Sequence, residues 1–251
     1  MSRGKSSSRK KISKEEQEEI ASFPQHSLGS QELNINTVNI NFKCKTENQK
    51  KFVNQIKEKI ITIGAGYPGS GKTFLSAAEA LRLLKTEPQY RKIMLIKSVT
   101  VLKGEEIGYL KGSQEEKLNP FMESFKDNFN KLIGKSLTNK LQEQGLIEVQ
   151  PLAFLRGRTL DNTIIIIDEA QNISYDNMKT ALTRIGENSK IIIIGDQRQI
   201  DLRNKKESCL SWLADKFEAN DKFGVTRFTK DDQVRNPIIS VIEDIFDGLD
   251  K

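Results

Sequence analysis

Four short apolar runs set the rhythm of this chain: Ile60-Ile61-Thr62-Ile63, Ile93-Met94-Leu95-Ile96, Ile164-Ile165-Ile166-Ile167 and Ile191-Ile192-Ile193-Ile194. Each is β-branched or aliphatic, too short for a buried helix, and bounded by glycine or polar residues. That pattern predicts strands buried on both faces, as in a parallel sheet. Ile147-Glu148-Val149-Gln150 predicts a shorter strand and residues 224–228 a last one. Between them the spacing turns helical. Residues after Gly71 read as one helix, and 119–133 as a longer one with Phe121, Met122, Phe125, Phe129 and Leu132 toward the core. A helix over 176–185 should end at Gly186, and a C-terminal helix should turn Ile238, Ile239, Ile242 and Phe246 inward. Strands alternating with helices predict an α/β fold. Residues 34–42 alternate apolar and polar (Ile35, Val38, Ile40, Phe42), which suggests irregular edge strands. Thr46 with Gln49 three residues on reads as a capped helix start.

Two of the strands lead into chemistry. The first is followed by Gly66-Tyr67-Pro68-Gly69-Ser70-Gly71-Lys72-Thr73, a complete G-x-x-x-x-G-K-[ST] motif in a strand-loop-helix context. Glycines let successive backbone N–H groups turn toward phosphate oxygens, and the following helix start adds its positive end. Lys72 can reach the β- and γ-phosphates, and the Thr73 hydroxyl can ligate Mg²⁺. The isoleucine run 164–167 ends in Asp168-Glu169, where Asp168 fits the Mg²⁺-holding Walker B aspartate and Glu169 can polarise an attacking water. In a parallel sheet the polar end of the next strand, Asp196 to Leu202, lies at the same edge, so Gln199 or Gln197 could contact a γ-phosphate. Arg184, in the last turn of its helix, suits the helix dipole.

Composition narrows the classes. In 251 residues, 29% are charged and 36% hydrophobic, room for one α/β domain with a tail. No apolar run approaches the roughly 20 residues that span a bilayer, so no membrane partner is expected. The basic N-terminus lacks the apolar region of a secretory signal. Residues 1–30 are expected to be a disordered basic tail, with a short charged helix from Ser13 ended at Phe23-Pro24, and residues 31–251 the folded domain. Cys44 and Cys209 lie far apart without metal-ligand spacing and fit reduced thiols in a cytoplasmic protein. The one histidine, His26, lies outside any motif, so a catalytic base must be a carboxylate. A net charge of +6 favours an anionic partner such as nucleic acid, although a solvated surface accounts for it nearly as well.

The chain resembles the PhoH-like family, whose ATPase core is related to the first RecA-like domain of superfamily 1 helicases. The likeness runs over about residues 46–247. Besides the segments above it is carried by Gly104-Glu105-Glu106-Ile107-Gly108-Tyr109-Leu110, Arg156-Gly157-Arg158-Thr159, Leu182-Thr183-Arg184-Ile185-Gly186 and Gln233-Val234-Arg235-Asn236-Pro237. The resemblance implies a three-layer P-loop NTPase with a RecA-like, mostly parallel sheet flanked by helices, hydrolysing ATP with Mg²⁺. It implies adenine contact by Gln49, for which capping is the better reading from spacing alone. It places the nucleotide on Gly66, Pro68, Gly69, Ser70, Gly71, Lys72, Thr73 and Phe74, and Mg²⁺ on Thr73 and Asp168. Glu169 would drive hydrolysis, Gln199 would sense the γ-phosphate, and Arg184 and Arg235 would serve as arginine finger or sensor. Single-stranded RNA or DNA is the implied partner, with Lys97, Lys103, Arg156 and Arg158 as contacts; salt bridging explains the two arginines equally well. A ring or other homo-oligomer would supply a finger that one lobe lacks. Asn236 departs from the histidine the family favours, and the segment before the core is too short for the nuclease domain of some relatives. Two rivals stand beside this reading. A small-molecule P-loop kinase is disfavoured by Glu169 and the polar end of the strand before Asp196. A slow nucleotide-gated switch with a protein partner is not.

Overall fold

The computed structural model describes residues 34–97 and 125–235, together with Ile238, Val241, Ile242 and Ile245. Six strands form one sheet: β1 (Ile61–Gly66), β2 (Lys92–Lys97), β3 (Ile147–Pro151), β4 (Thr163–Asp168), β5 (Lys190–Gly195) and β6 (Phe223–Phe228). Their order is β3-β2-β4-β5-β1-β6 and every pairing is parallel. Helices cover both faces, as parallel crossovers require. Ile164, Ile166, Ile192 and Ile194 pack against α1 (Glu47–Glu58), α2 (Lys72–Thr86), the helical residues 125–133 and α3 (Lys135–Glu143). Ile165, Ile167, Ile191 and Ile193 pack against α4 (Tyr175–Leu182) and α5 (Leu210–Glu218). Burial on both faces is why these strands are unbroken isoleucine rather than alternating. The result is the three-layer, RecA-like α/β architecture.

The predicted α1 start holds, with Thr46 Oγ1 accepting the Gln49 N–H at 3.2 Å. Phe125 and Phe129 are buried in the core as their spacing requires; Phe121 and Met122 lie outside the described residues. Gly64 leaves room for the Phe52 ring, which a Cβ there would meet at 2.7 Å.

Three expectations are corrected. Residues 34–42 form a 3-10 turn (Ile35–Thr37), not edge strands. Their apolar residues are buried or half-buried over the α1–α2 layer, where there is no sheet edge to extend, and Lys85 Nζ donates to Val38 O at 2.6 Å. Helix α4 stops at Leu182, before the predicted Ile185, because the chain there pairs with the segment entering β4. Leu160 N donates to Arg184 O and Gly186 N donates to Leu160 O, both at 2.9 Å. Ile238 and Ile242, expected in the core, are exposed, as are Val241 and Ile245; Ile239 and Phe246 lie outside the described residues. So do the tail, the Ser13 helix, and the segment carrying Lys103 and Gly104-Glu105. Among the described residues, no helix is long and apolar enough to cross a membrane.

Candidate active site

Because all six strands run the same way, their C-terminal ends share one edge, and the loops leaving β1, β4 and β5 meet there. The loop after β1 departs through Gly66, whose φ of 126° and closeness to Phe228 O (2.1 Å for an added Cβ) admit no other residue. Gly69 and Gly71 are also left-handed, and Gly71 caps α2. Ser70 Oγ donates to Tyr67 O at 2.8 Å. Lys72 opens α2 and folds back into the loop. Its Nζ donates to Gly66 O and Tyr67 O, both at 2.7 Å, and to Ser70 Oγ at 3.2 Å. Burial pushes its pKa down to about 8, partly offset by Asp196, Asp168 and Glu169, while Arg198 adds to the lowering. The ammonium thus sits in the field of three carboxylates, at the place where phosphates would add more negative charge.

At the end of β4, Asp168 is buried and its Oδ1 accepts the Glu169 N–H at 2.8 Å. Glu169 takes a left-handed backbone (φ 52°), uncommon for a residue with a side chain, and so swings its carboxylate off the strand line. Gln171, on the following 3-10 turn (Ala170–Asn172), fixes it. Gln171 Nε2 donates to Glu169 Oε2 at 2.7 Å, and its Oε1 accepts the Asp196 N–H at 3.0 Å. One amide therefore ties the end of β4 to the end of β5. Asn172 repeats the device, its Oδ1 accepting the Asp201 N–H at 2.7 Å. Asp196 Oδ1 accepts the Arg198 N–H at 3.0 Å, and the Arg198 guanidinium lies 3.7 Å over the Tyr67 ring. The turn after β5 is thereby closed onto the P-loop.

The remaining expected residues are placed one by one. Arg235 reaches the site. Val234 N donates to Gly69 O at 3.0 Å, and the Arg235 stem lies against Gly69, where an added Cβ would meet Cδ at 2.8 Å. Gln199 is exposed on the Asp196 turn, its N–H donating to Asp196 O at 3.0 Å, whereas the Gln197 amide oxygen accepts from Ser211 on α5. Pro68, Thr73 and Phe74 are half-buried on the loop and first turn of α2. Gln49 is 3% exposed; its Nε2 donates to Ser70 O at 2.9 Å and its Oε1 accepts the Lys45 N–H at 2.6 Å. In this arrangement it braces the P-loop through Ser70 O. Arg184 is displaced altogether. It pairs with Leu160 beside the start of β4, so roughly 20 Å of strand separates it from the Glu169 edge. It cannot act on the site of its own chain. Lys97 lies opposite Asp168 in register. Arg156 and Arg158 are exposed after the 3-10 turn that follows β3, at the far side of the sheet from β1.

Gln171, Asn172, Asp196, Arg198 and Tyr67 were not assigned roles from sequence. The available signal was a cluster of polar residues directly after two fully apolar strands. For Mg²⁺ the donor set fits. Thr73 and Asp168 offer hard oxygens, and among the described residues no group of three His, Cys, Asp or Glu forms a protein cage. Such a pair suits an ion that keeps its waters and binds mostly through substrate phosphates.

A family model described as PhoH-like protein matches residues 41–247. Curated relatives include a PhoH-like protein of Bacillus subtilis (strain 168), 35% identical over 88% of this chain and 69% of its own. A PhoH-like protein of Mycobacterium tuberculosis (strain H37Rv) is 39% identical over 80% and 57%, and Protein PhoH of Escherichia coli (strain K12) is 34% identical over 78% and 55%. The chain thus spans between 55% and 69% of these relatives' length. Among solved structures, the ADP complex of the large terminase from a thermophilic bacteriophage aligns at 13% identity over 79% of this chain and 49% of that one, with a TM-score of 0.47. Pif1 helicase from Candida albicans aligns at 13% over 80% and 44%, with a TM-score of 0.40. These structural likenesses are too distant to bear on chemistry.

Proposed function

The chain belongs to the PhoH-like protein family, and from that premise we propose that it hydrolyses ATP with Mg²⁺ and is coupled to single-stranded nucleic acid. The observation that carries this reading is Lys72 held inside the P-loop in the field of Asp168, Glu169 and Asp196. The N–H groups of Gly69 to Thr73 and the Lys72 ammonium would hold the phosphates. Thr73 and Asp168 would hold Mg²⁺, which supplies Lewis-acid charge neutralisation at the transferring phosphate. Glu169, fixed by Gln171, would accept a proton from the attacking water. Arg235 and Arg198, which lie against Gly69 and Tyr67 of the P-loop, would offset developing charge. Arg184, at the opposite edge, would act only in a neighbouring subunit of an oligomer.

Steady-state ATP hydrolysis by the purified chain, with and without Mg²⁺ and single-stranded RNA or DNA, tests the reading beside Glu169→Gln. The expected result is Mg²⁺-dependent turnover raised by one polymer and reduced about 10²- to 10⁴-fold in the variant, the usual worth of a general base. Slow turnover indifferent to both polymers would overturn the coupling and favour a nucleotide-gated switch with a protein partner.

A further inference from the structure

Two aromatic side chains stand on the surface beside the site. Tyr175, the first residue of α4, is 41% exposed, and Trp212, in the first turn of α5, is 47% exposed. Their rings meet edge to face with centroids 5.4 Å apart. The core does not need them: Met178 and Ala181 anchor α4, while Leu210, Leu213 and Ala214 anchor α5. A backbone bridge between Ser174 and Ser208, with Cys209 N donating to Ile173 O at 3.2 Å, fixes the two helix starts side by side. The pair is therefore preorganised and open.

Cations surround it. Lys179 and Lys216 each lie four residues beyond an aromatic, on the same helix face. Lys205 and Lys206 occupy the 3-10 turn (Lys205–Glu207) leading into α5, and Arg203 precedes it; all five are exposed. None of the five forms an ion pair among the described residues. Of the nearby carboxylates, Asp215 is paired with Arg227 at 2.5 Å and Asp201 is held by Asn172. Asp201 keeps its charge, Glu218 shares Arg227 with Asp215, and Asp176 and Glu207 form no ion pair among the described residues, so positive charge is in slight excess.

We infer that this patch binds a single-stranded polynucleotide, with bases stacked on Tyr175 and Trp212 and phosphates running past the lysines. Exposed aromatic faces within a cationic track match unpaired bases, whose π-faces are hidden in a duplex. The inference rests on the nucleic-acid arm of the proposed function and names a site apart from Lys97, Arg156 and Arg158. It also supplies a connection to hydrolysis. The backbone that positions Tyr175 is continuous with the 3-10 turn (Ala170–Asn172) whose Gln171 holds Glu169.

Trp212 is the only tryptophan in the chain, so indole fluorescence reports this patch alone. Titrating the full chain with thymidine or uridine homopolymer oligonucleotides should quench it, and comparing the two arms identifies DNA or RNA. By anisotropy of labelled oligonucleotide, Trp212→Ala and Tyr175→Ala should each weaken binding about tenfold, with Trp212→Phe restoring most of it. Lys205→Glu with Lys206→Glu should weaken binding and flatten its salt dependence. Basal hydrolysis should stay unchanged in all four, while stimulation by polynucleotide falls. Oligonucleotide binding with unaltered indole emission, and a Trp212→Ala affinity within twofold of wild type, would overturn the inference and leave the ATPase reading standing. Absence of any oligonucleotide binding would overturn it too. Absence of basal hydrolysis in the wild type would strike the ATPase reading instead.

Discussion

Replacing Gln171 by methionine, which keeps the volume and removes both hydrogen-bonding groups, isolates how Glu169 is held. Two interactions are lost at a side chain that is 1% exposed: the charge-assisted bond to Glu169 Oε2 at 2.7 Å and the bond from Asp196 N at 3.0 Å. A hydrogen bond to a charged group contributes about 1.5–3 kcal/mol, and an orphaned buried N–H costs about 1–3 kcal/mol. The variant should therefore unfold at lower urea, by on the order of 3 kcal/mol. Its kcat should fall about 10²-fold, the scale of a misplaced catalytic group, because the left-handed Glu169 is no longer restrained on its side-chain side. The Gln171 amide bonds to Glu169 and Asp196 rather than to the P-loop, so KM for ATP should stay within about twofold, since what is lost acts only in the transition state. Coupling distinguishes positioning from general damage. If Gln171 acts through Glu169, then Glu169→Gln with Gln171→Met should be no slower than Glu169→Gln alone. Fully additive losses, or a Gln171→Met kcat within twofold of wild type, would refute the argument.

Three further outcomes follow from the same geometry. Gly66→Ala should abolish ATP binding and lower Tm sharply, since its Cβ would lie 2.1 Å from Phe228 O at a φ of 126°. Gly71→Ala, with 3.2 Å to Gln49 Nε2, should cost only about 1–2 kcal/mol of left-handed strain; equal Tm shifts for the two would contradict this. Asp232 is buried, which raises a carboxyl pKa, but hydrogen bonds from Thr46, Asn48 and Thr229 outweigh burial and hold it below its ordinary value. A depressed folded-state pKa contributes stability that is present above the unfolded value near 4 and is lost as pH falls through the folded one. The urea-midpoint gap between wild type and Asp232→Asn should therefore shrink from pH 7 toward pH 3, and a pH-independent gap would count against the assignment. Ile238, Val241, Ile242 and Ile245 are exposed at helical spacing, which an oligomer would cover. Ile242→Asp with Ile245→Asp should convert an ATP-bound oligomer to monomer by sedimentation, and a wild type that is monomeric with ATP would dismiss the oligomer.

The apolar runs and the P-loop determined a good deal by themselves. Unbroken isoleucine strands can be buried only on both faces, so they had to be parallel with helices on either side. Parallel strands all end at one edge, so Lys72, Asp168, Glu169 and the polar turn after β5 had to gather there. Lateral order did not follow, because the central strands read alike along their own length. In the packed sheet β5 lies between β1 and β4. That placement puts Asp196 where Gln171 can reach it across 25 residues and lets Arg198 stack on Tyr67. Arg184 lies at the opposite edge for a different reason, already set by strand direction: it follows α4 and precedes the start of β5, where the turn meets Leu160. Local pattern specified elements and their direction. Side-chain partners depended on which strands became neighbours, and only the packed sheet could settle that.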